Sequence, residues 1–272
     1  MTFQQFKFYL RANWIKTVCF NFKILPFKDA VKMPILLFGH VDVVCTKRAK
    51  CVIKKGGGGL ATMTIGNSYS PAYGKMNSHH CWTYISLDGT IVLNGSKQFI
   101  GNGCKVSVDN GATLELGDHV FINNQSKIVC KQSVSIGAYT RISWESQIMD
   151  TNFHYMVSEE GMVKNKDGRI VIGNHCWIGN RVTVQKGTVL NDYSIVASNS
   201  LVNKDFSNIQ FGTFGGTPAK LLAKGNIRNF NFAYEFKLND FFAGHPDVNE
   251  VQVNREQCFK FGKDNLDVIP LT

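Results

Sequence analysis

The sequence predicts a mainly β protein built as a parallel β-helix, and three observations lead to this fold class. Branched apolar residues recur at every sixth position over long stretches. The residues between them are rich in glycine, asparagine and aspartate, which tolerate the backbone angles of tight corners. The chain has 272 residues, which is enough for one solenoid with an additional piece at each end.

The six-residue period is clearest between residues 170 and 206. Neither a helix face, with a period of 3.6 residues, nor a half-buried strand, with a period of 2, explains it. Three short strands and three corners per coil make a triangular solenoid whose coils pair in parallel about 4.8 Å apart. Inward anchors are therefore expected at Ile172, Ile178, Val184, Leu190, Val196 and Val202, with second inward positions at Cys176, Val182, Thr188, Ser194, Ser200 and Phe206.

The same pattern occurs upstream with one interruption. It runs through Leu116, Ile122 and Ile128, slips by two residues, and resumes at Ile136, Ile142 and Ile148. Weaker echoes around Ile100 and Val106 extend the solenoid back to about residue 85. The solenoid domain is assigned to residues 56–224, with an N-terminal cap over residues 1–55 and a C-terminal extension over residues 225–272.

The N-terminal segment is basic and aromatic, and two interpretations stay open for it. Residues 1–55 hold 11 lysines and arginines against two aspartates, which accounts for +9 of the net charge of +10. The favoured interpretation is an amphipathic helical cap, because a solenoid end exposes unpaired strand edges. The alternative is peripheral membrane contact through an interfacial segment. Nucleic-acid binding is not expected, since no recognised nucleic-acid module accompanies the charge.

Several other features carry less information about function. No secretion signal or membrane span is visible, so a cytoplasmic location is expected, with membrane association as the open alternative. Eight cysteines without a CxxC pair indicate reduced core residues. The pair His79-His80 beside Cys81 lacks metal-ligand spacing and is given no metal role. The run Gly56–Gly59 lacks the GKS or GKT ending of a phosphate loop and is interpreted as a flexible junction between cap and solenoid.

The segment IGNHCWIGNRVTVQKGTVL, followed by IVASNSLVNKDF and GGTPAKLL, resembles the C-terminal coils of the hexapeptide-repeat acyltransferases. The sugar and polysaccharide O-acetyltransferase branch is the most similar, and NFKILPFKDAVKMPILLF resembles the N-terminal segment of capsular and lipopolysaccharide acetyltransferases. The resemblance implies a left-handed β-helix, an exception to the usual right-handed crossover. It also implies a homotrimer, acetyl-CoA as cosubstrate, a sugar or glycan acceptor and no metal.

The catalytic prediction concerns the interruption of the hexads between Ile148 and Ile170. An excursion from a rigid scaffold is a typical place for binding residues, and the predicted excursion covers residues 150–169. In the family that this chain resembles, a histidine at the position of His154 is the general base. Asp150 is the favoured residue to orient its imidazole, with Glu145 or a backbone carbonyl left open.

The resemblance also implies binding residues. Asn123 matches an asparagine that contacts the acceptor or the thioester, although an ordinary corner asparagine is the alternative. A groove for acetyl-CoA is expected along the last coils, where serine and asparagine replace the more usual alanine and threonine at 198 and 203. The expected groove residues are Trp177, Asn180, Ser198, Asn203, Lys204 and, near the nucleotide phosphates, Lys220.

Two alternatives to an acetyltransferase remain open at the level of sequence. A γ-type carbonic anhydrase has the same fold but needs three converging histidines, and His119, His154 and His175 do not match its spacing. A catalytically silent scaffold is expected to lack the loop histidine and the WIG and PAK coils, all of which are present.

Overall fold

The computed structural model describes residues 3–54, 56–67 and 81–259. Within these ranges the chain divides into two compact units, with the boundary after Asn226. The first unit contains three N-terminal helices and a solenoid of parallel strands. The predicted fold class, a mainly β left-handed parallel β-helix with a helical cap and a C-terminal extension, is confirmed.

The N-terminal cap consists of the helices α1 (Phe3–Leu10), α2 (Trp14–Ile24) and α3 (Phe27–Ala30). Helix α2 begins after Asn13, whose side chain accepts a hydrogen bond from the backbone N–H of Lys16 at 3.2 Å, as N-cap residues do. The buried residues of α2 are Thr17, Phe20, Asn21 and Ile24, which share one helix face because they are three or four positions apart.

The solenoid consists of three sheets, and the chain visits them in the order 1, 2, 3 in every coil. Sheet 1 contains β1 (Ile35–Leu37), β4 (Met63–Asn67), β7 (Gln98–Gly101), β10 (Phe121–Ile122), β13 (Arg141–Ile142), β16 (Trp177–Ile178), β19 (Ile195–Val196), β22 (Gly212–Gly216) and β23 (Ala219–Lys224). Sheet 2 contains β2 (Val41–Cys45), β5 (Thr83–Leu87), β8 (Lys105–Val108), β11 (Lys127–Cys130), β14 (Gln147–Met149), β17 (Thr183–Gln185) and β20 (Leu201–Val202). Sheet 3 contains β3 (Lys50–Ile53), β6 (Thr90–Leu93), β9 (Thr113–Leu116), β12 (Ser133–Ile136), β15 (Ile170–Ile172), β18 (Val189–Leu190) and β21 (Asp205–Phe206).

Three corners connect these sheets. The first corner leads from sheet 1 to sheet 2, the second from sheet 2 to sheet 3, and the third from sheet 3 to sheet 1 of the next coil. All strand pairs are parallel except the last, in which β23 runs antiparallel to β22 at the end of sheet 1.

The predicted inward anchors are confirmed. Ile128 pairs with Val106 and Ile148, and Val184 pairs with Ile148 and Val202, so one inward column crosses sheet 2 in register. Burying such a branched side chain stabilises a fold by about 1.5–3 kcal/mol relative to exposure. Buried at the predicted positions are Leu116, Ile122, Ile128, Ile136, Ile142, Ile148, Ile172, Cys176, Ile178, Val182, Val184, Thr188, Leu190, Ser194, Val196, Ser200, Val202 and Phe206.

The solenoid starts earlier than predicted, both by the domain boundary at residue 56 and by the repeat pattern, which reached back only to about residue 85. The first coil begins at Ile35, because β1 pairs in parallel with β4, β2 with β5 and β3 with β6. The strands of the first two coils in sheets 2 and 3 are four or five residues long, so a strict six-residue period does not appear there. The helical cap therefore ends near Ala30 and not at residue 55.

The glycine run is also corrected. Gly56–Gly59 lies between β3 and β4, at the third corner of the first coil, and not at a junction between cap and solenoid. Gly56 and Gly58 have positive φ angles of 91° and 99°. A Cβ on Gly57 would lie 2.6 Å from the carbonyl oxygen of Gly95 in the next coil. This close approach of two backbones explains why glycine is needed there.

The second unit contains two described helices, α4 (Phe232–Gly244) and α5 (Arg255–Phe259). Helix α4 begins after Asn231, whose side chain accepts a hydrogen bond from the N–H of Tyr234 at 3.1 Å. The predicted extension also includes residues 260–272, and the predicted segment 56–224 includes residues 68–80 with His79-His80. Both stretches lie outside the described residues. No described helix has the length and apolarity required to cross a lipid bilayer.

Candidate functional site

The excursion predicted between Ile148 and Ile170 leaves the solenoid at the second corner. It starts after β14 and returns to β15, and two isolated antiparallel bridges, Thr151 to Asp167 and Val157 to Val163, hold its two arms together. At its tip the N–H of Ser158 donates to the carbonyl of Met162 at 2.9 Å. The excursion is thus a hairpin-like arm, here called the second-corner loop, with a fixed base and an exposed tip.

His154 lies on the outgoing arm of the second-corner loop, between the two bridges. Its side chain is exposed, and its backbone N–H donates to the carbonyl of Asn152 at 2.7 Å. The neighbouring side chains Phe153, Tyr155 and Met156 are exposed as well. An exposed imidazole with an apolar surround can meet a substrate from outside the chain, which is compatible with the predicted role as a base.

Asp150 has a different environment from the one predicted. Its side chain is fully buried, and its carboxylate accepts hydrogen bonds from the backbone N–H groups of Lys131, Gln132 and Ser133 at 2.7, 2.8 and 2.7 Å. Its own carbonyl accepts from the N–H of Gly168 at 2.8 Å. Among the described residues the carboxylate makes no hydrogen bond with His154, because its oxygens point into this turn. The structure therefore gives Asp150 the role of fixing both ends of the second-corner loop.

Glu145, the alternative partner of the imidazole, lies at the first corner. Its carboxylate accepts a hydrogen bond from Nε of Arg181 at 2.6 Å, forming an ion pair between neighbouring coils. Both residues have positive φ angles, 59° and 56°. Arg181 is not among the residues predicted from the sequence, although its place between two inward anchors and beside Asn180 marks it as an exposed corner position.

The first corner gathers three of the predicted binding residues. The Ser198 hydroxyl donates to the side-chain oxygen of Asn180 in the preceding coil. Trp177, on β16 just before this corner, is 40 % exposed, and its indole N–H donates to the Ser143 hydroxyl at 3.4 Å. Asn123 lies two coils earlier, where its side chain accepts from the N–H of Asn124 at 2.8 Å, as a corner asparagine does.

The remaining predicted residues lie in the last coils. Asn203 and Lys204 are exposed at the second corner between β20 and β21, and Lys220 is exposed on β23. Neither lysine forms an ion pair with a carboxylate among the described residues. Free ammonium groups of this kind are suited to phosphate oxygens. They fit the expected contact with the phosphates of a CoA molecule.

The predicted residues thus form two groups on different corners of one chain. His154, Asn203 and Lys204 lie at the second corner, whereas Asn123, Asn180 and Ser198 lie at the first. The strands of sheet 2, which are two to five residues long, separate the two corners. The predicted residues of a single copy are thus divided between two edges of the solenoid.

A stack of aromatic rings occupies the third corner. Tyr139 lies between His119 and His175, with ring centroids 4.9 and 5.0 Å away, and Tyr193 and Phe211 continue the stack at 4.8 and 5.2 Å. All five residues have φ angles between 53° and 60°. Such parallel rings are an offset-stacking arrangement, here repeated once per coil.

This aromatic stack argues against the carbonic anhydrase alternative. His119 and His175 face opposite sides of the Tyr139 ring, and His154 lies at another corner. The three imidazoles do not converge on a common point, as a zinc site requires. A groove of about 670 Å³ lies beside this corner and is lined by Ser96, Asp118, Asn174 and Asp192, but it contains none of the predicted site residues.

The fold and the site define a class of protein: a β-helix of six-residue repeats that carries an exposed histidine on one arm and exposed polar groups on two corners. Residues 169–204 match the family model described as bacterial transferase hexapeptide, six repeats. This stretch of the chain therefore carries the repeat of the bacterial hexapeptide transferases.

The relatives in the comparison include proteins of surface-polysaccharide loci. One relative is an Escherichia coli K12 protein whose assigned name is lipopolysaccharide biosynthesis O-acetyl transferase. It is 28 % identical over 152 residues, which cover 53 % of this chain and 76 % of the relative. An uncharacterised 24.8 kDa protein in the cps region of Klebsiella pneumoniae is 31 % identical over 144 residues, covering 53 % of this chain and 62 % of that protein.

Among solved structures, the polysialic acid-specific acetyltransferase NeuO aligns with 78 % of this chain and 98 % of its own. The sequence identity is 16 % and the TM-score is 0.46.

Proposed function

We propose that the protein is an O-acetyltransferase that transfers acetyl from acetyl-CoA to a hydroxyl of a sugar or glycan, as part of surface-polysaccharide biosynthesis. The observation that carries the proposal is the exposed His154 on the arm that enters the coils matched by the family model, residues 169–204. The name of the Escherichia coli relative, a lipopolysaccharide biosynthesis O-acetyl transferase, supports the reaction class and the acceptor class.

The chemistry explains the need for a base at this place. A sugar hydroxyl is almost fully protonated at neutral pH, so it attacks a thioester carbonyl effectively only if its proton leaves as the new bond forms. An imidazole titrates near neutral pH and is suited to accept that proton. The acetyl C–S bond then breaks and the CoA thiolate leaves. General-base help of this kind contributes about 10² to 10⁴ in rate.

The cosubstrate is expected to lie along the last coils. Lys204 and Lys220 offer unpaired ammonium groups for its phosphates, and the exposed indole of Trp177 offers an apolar surface beside the Asn180 and Ser198 pair. Asn123 is expected to contact the acceptor or the thioester. These assignments come from the family resemblance, and the exposure of the side chains is compatible with them.

A homotrimer is part of the proposal. The two groups of site residues lie on different corners of one chain, and corners from two neighbouring copies would bring both groups into one site. A closed ring of three copies provides three such sites. The cytoplasmic location stays a prediction, which cell fractionation would test.

The test is the variant His154→Ala. Turnover is expected to fall by at least about 100-fold, with affinity for CoA nearly unchanged, because the loss falls on the transition state. Thiol release from acetyl-CoA, measured over a panel of sugars, nucleotide sugars and lipid-linked glycans, gives the rate and identifies the acceptor.

The matched control is His245→Ala, since His245 is an exposed histidine in the second unit. Its turnover is expected to equal that of the unchanged protein. Near-normal turnover in a folded His154→Ala protein would remove His154 from the role of general base. If the unchanged protein releases no thiol with any acceptor of the panel, the silent scaffold is the better interpretation.

A further inference from the structure

The cap helix α2 directs polar side chains inward. The hydroxyl oxygen of Thr17 accepts a hydrogen bond from the N–H of Leu37 at 3.0 Å. The Asn21 amide accepts from the N–H of Ile35 at 3.1 Å and donates to the carbonyl of Ile35 at 2.7 Å. These bonds satisfy the free edge of β1, where a preceding strand is missing. Two of the four buried side chains of α2, Thr17 and Asn21, therefore bond to backbone groups of β1.

As a consequence, the outward face of α2 is apolar. Ile15 is 81 % exposed, and Trp14, Val18 and Phe22 are exposed beside it. Single exposed apolar residues are normal, but a contiguous set marks an interaction surface. The helices α1 and α3 enlarge the set, whose further members are Phe3, Phe6, Leu10, Phe27 and Val31.

The same surface is strongly basic. Between residues 3 and 32 the chain has six basic residues and one acidic residue, Asp29. Asp29 lies 3.4 Å from Lys32, and Lys16 lies 3.5 Å from Asp42 on β2. The remaining basic residues, Lys7, Arg11, Lys23 and Lys28, have no carboxylate partner among the described residues. The exposed side chains of residues 3–32 are here called the cap surface. Because this surface is both apolar and basic, it is complementary to a partner that is both apolar and anionic.

A groove connects the cap surface with the solenoid. It has a volume of about 630 Å³ and lies between α2 and the outer face of sheet 2. Lys16 and Lys23 line one side, and the half-exposed apolar side chains of Val44 and Tyr84 line the other. Asp42 also lines the groove, where it is paired with Lys16. Lys23, which has no carboxylate partner among the described residues, beside an apolar wall matches a phosphate headgroup with its attached chain.

We propose that the cap surface docks on an anionic lipid leaflet, with its aromatic and aliphatic side chains in the interface and a lipid phosphate in the groove beside Lys23. Interfacial helices of this kind combine apolar burial with attraction between Lys or Arg and anionic headgroups. A contact between the cap surfaces of two copies fits less well, because two surfaces of the same sign would face each other. The proposal does not depend on acetyl transfer.

The experiment is co-sedimentation of the full chain with vesicles of phosphatidylcholine alone or with one quarter phosphatidylglycerol. Binding is expected to the anionic vesicles, to be weak to the neutral ones, and to fall as salt rises without disappearing. Equal binding to both compositions, or none, would overturn the proposal. Inorganic phosphate at the lipid concentration is expected to leave binding unchanged, and displacement by it would assign the groove to a free anion instead.

Two variants locate the surface. Ile15→Glu and Lys23→Glu are each expected to lower vesicle affinity about tenfold or more, since the first places a charge in the apolar part of the interface and the second replaces attraction to the anionic surface by repulsion. The matched controls are Phe236→Glu and Lys237→Glu on α4, which change an exposed phenylalanine and an exposed lysine in the second unit. The controls are expected to bind as the unchanged protein does.

Light scattering on all four variants completes the test. The cap variants are expected to keep the mass and the melting temperature of the unchanged protein, because Ile15 is exposed and Lys23 is unpaired. A lower mass in Ile15→Glu would assign the cap surface to a contact between copies and overturn the lipid proposal. Thiol release in the absence of vesicles reports on the acetyltransferase proposal separately.

Discussion

The buried carboxylate of Asp150 fixes the start of the second-corner loop. It accepts three backbone hydrogen bonds from one turn, and the carbonyl of the same residue accepts from Gly168 at the returning end. A residue that is not in contact with substrate can thus determine where His154 lies. The side chain acts as a positioning group for the proposed base.

Asp150→Asn is expected to lower the free energy of unfolding by roughly 2–3 kcal/mol, since one acceptor oxygen is replaced by an N–H₂ group that faces donors. Thermal or urea unfolding measures this change. Glu159→Gln, an exposed carboxylate in the same loop, is the control and should be neutral. If Asp150→Asn unfolded at the same temperature as the unchanged protein, the bonds to residues 131–133 would have no structural importance.

His175 is a residue whose charge state depends on the fold. Burial lowers the pKa of His175 below its usual value of 6.5, with Asp192 raising it and Arg141 lowering it by their charges. The unfolded chain therefore binds the proton more strongly than the folded chain. The free energy of unfolding is not reduced by His175 above pH 6.5. Below that pH, protonation of His175 in the unfolded chain lowers the free energy of unfolding, progressively toward the lower pKa of the folded state.

His175→Phe keeps a ring between Tyr139 and Tyr193 but removes this titration. The fall in melting temperature between pH 7.5 and pH 5.5 is expected to be smaller in this variant than in the unchanged protein. The control is His245→Phe in the second unit, which should leave the pH dependence as it is. An identical pH dependence in His175→Phe would show that the stacked imidazole does not contribute to it.

At the scale of elements, the hairpin of β22 and β23 closes the last coil and carries two exposed lysines. Lys220 and Lys224 lie on the same strand four residues apart, about 13 Å in an extended chain. Only Lys220 matches the position near the nucleotide phosphates in the family resemblance. The strand therefore offers a matched pair of positions for a test of the CoA groove.

Lys220→Glu is expected to weaken CoA binding about tenfold at low ionic strength, because a hydrogen bond to a charged group contributes roughly 1.5 kcal/mol. The loss should shrink as salt rises, since exposed charges are screened. Calorimetric titration with CoA at two ionic strengths measures both effects. Lys224→Glu should lower CoA affinity less. Equal losses of affinity in the two variants would indicate that CoA responds to the overall positive charge of the strand and not to a specific contact with Lys220.

The elements also show which parts of the fold the sequence could reveal. Hexads in the later coils consist of two-residue strands and four-residue corners, so each repeat has the same length and the period is visible. The first coils have longer strands, such as Val41–Cys45 and Thr83–Leu87. Their inward residues alternate as in ordinary strands, which hides the coil from a search for a period of six.

At the scale of the whole molecule, the separation of the two corner groups makes assembly the central prediction. A trimer of chains of 30.4 kDa has a mass of about 91 kDa. Gel filtration with light scattering at micromolar concentration should give this value. A mass near 30 kDa in an active preparation would contradict both the trimer and the shared site.

Mixed assemblies test whether the site is shared. At acetyl-CoA concentrations well below the Kd of the Lys220→Glu protein, His154→Ala and Lys220→Glu copies are each weakly active alone and are expected to regain activity when they are refolded together. In a three-fold ring with random mixing in equal amounts, about a quarter of the interfaces combine an intact His154 with an intact Lys220 from the neighbour. The measurement is thiol release before and after mixing. If the activity of the mixture is no more than the sum of the activities of the two separate variants, both residues act within one copy.

The sequence by itself determined the solenoid, its inward anchors from Leu116 to Phe206 and the position of the excursion. Each of these depends on a local repeat, because an inward branched residue and a corner residue are needed in every hexad wherever it lies. The excursion followed from the same logic, since a stretch without inward anchors does not form a coil.

The tertiary structure decided what depends on contacts between distant residues. The partner of Asp150 proved to be the turn 131–133 of the preceding coil, the run Gly56–Gly59 proved to be a corner pressed against Gly95, and His119 and His175 proved to be members of one ring stack. The outward apolar face of α2 also required the structure, because Thr17 and Asn21 turn inward only to satisfy the edge of β1. Hydrogen-bond demand at a strand edge, which no periodicity encodes, thus set the orientation of that helix.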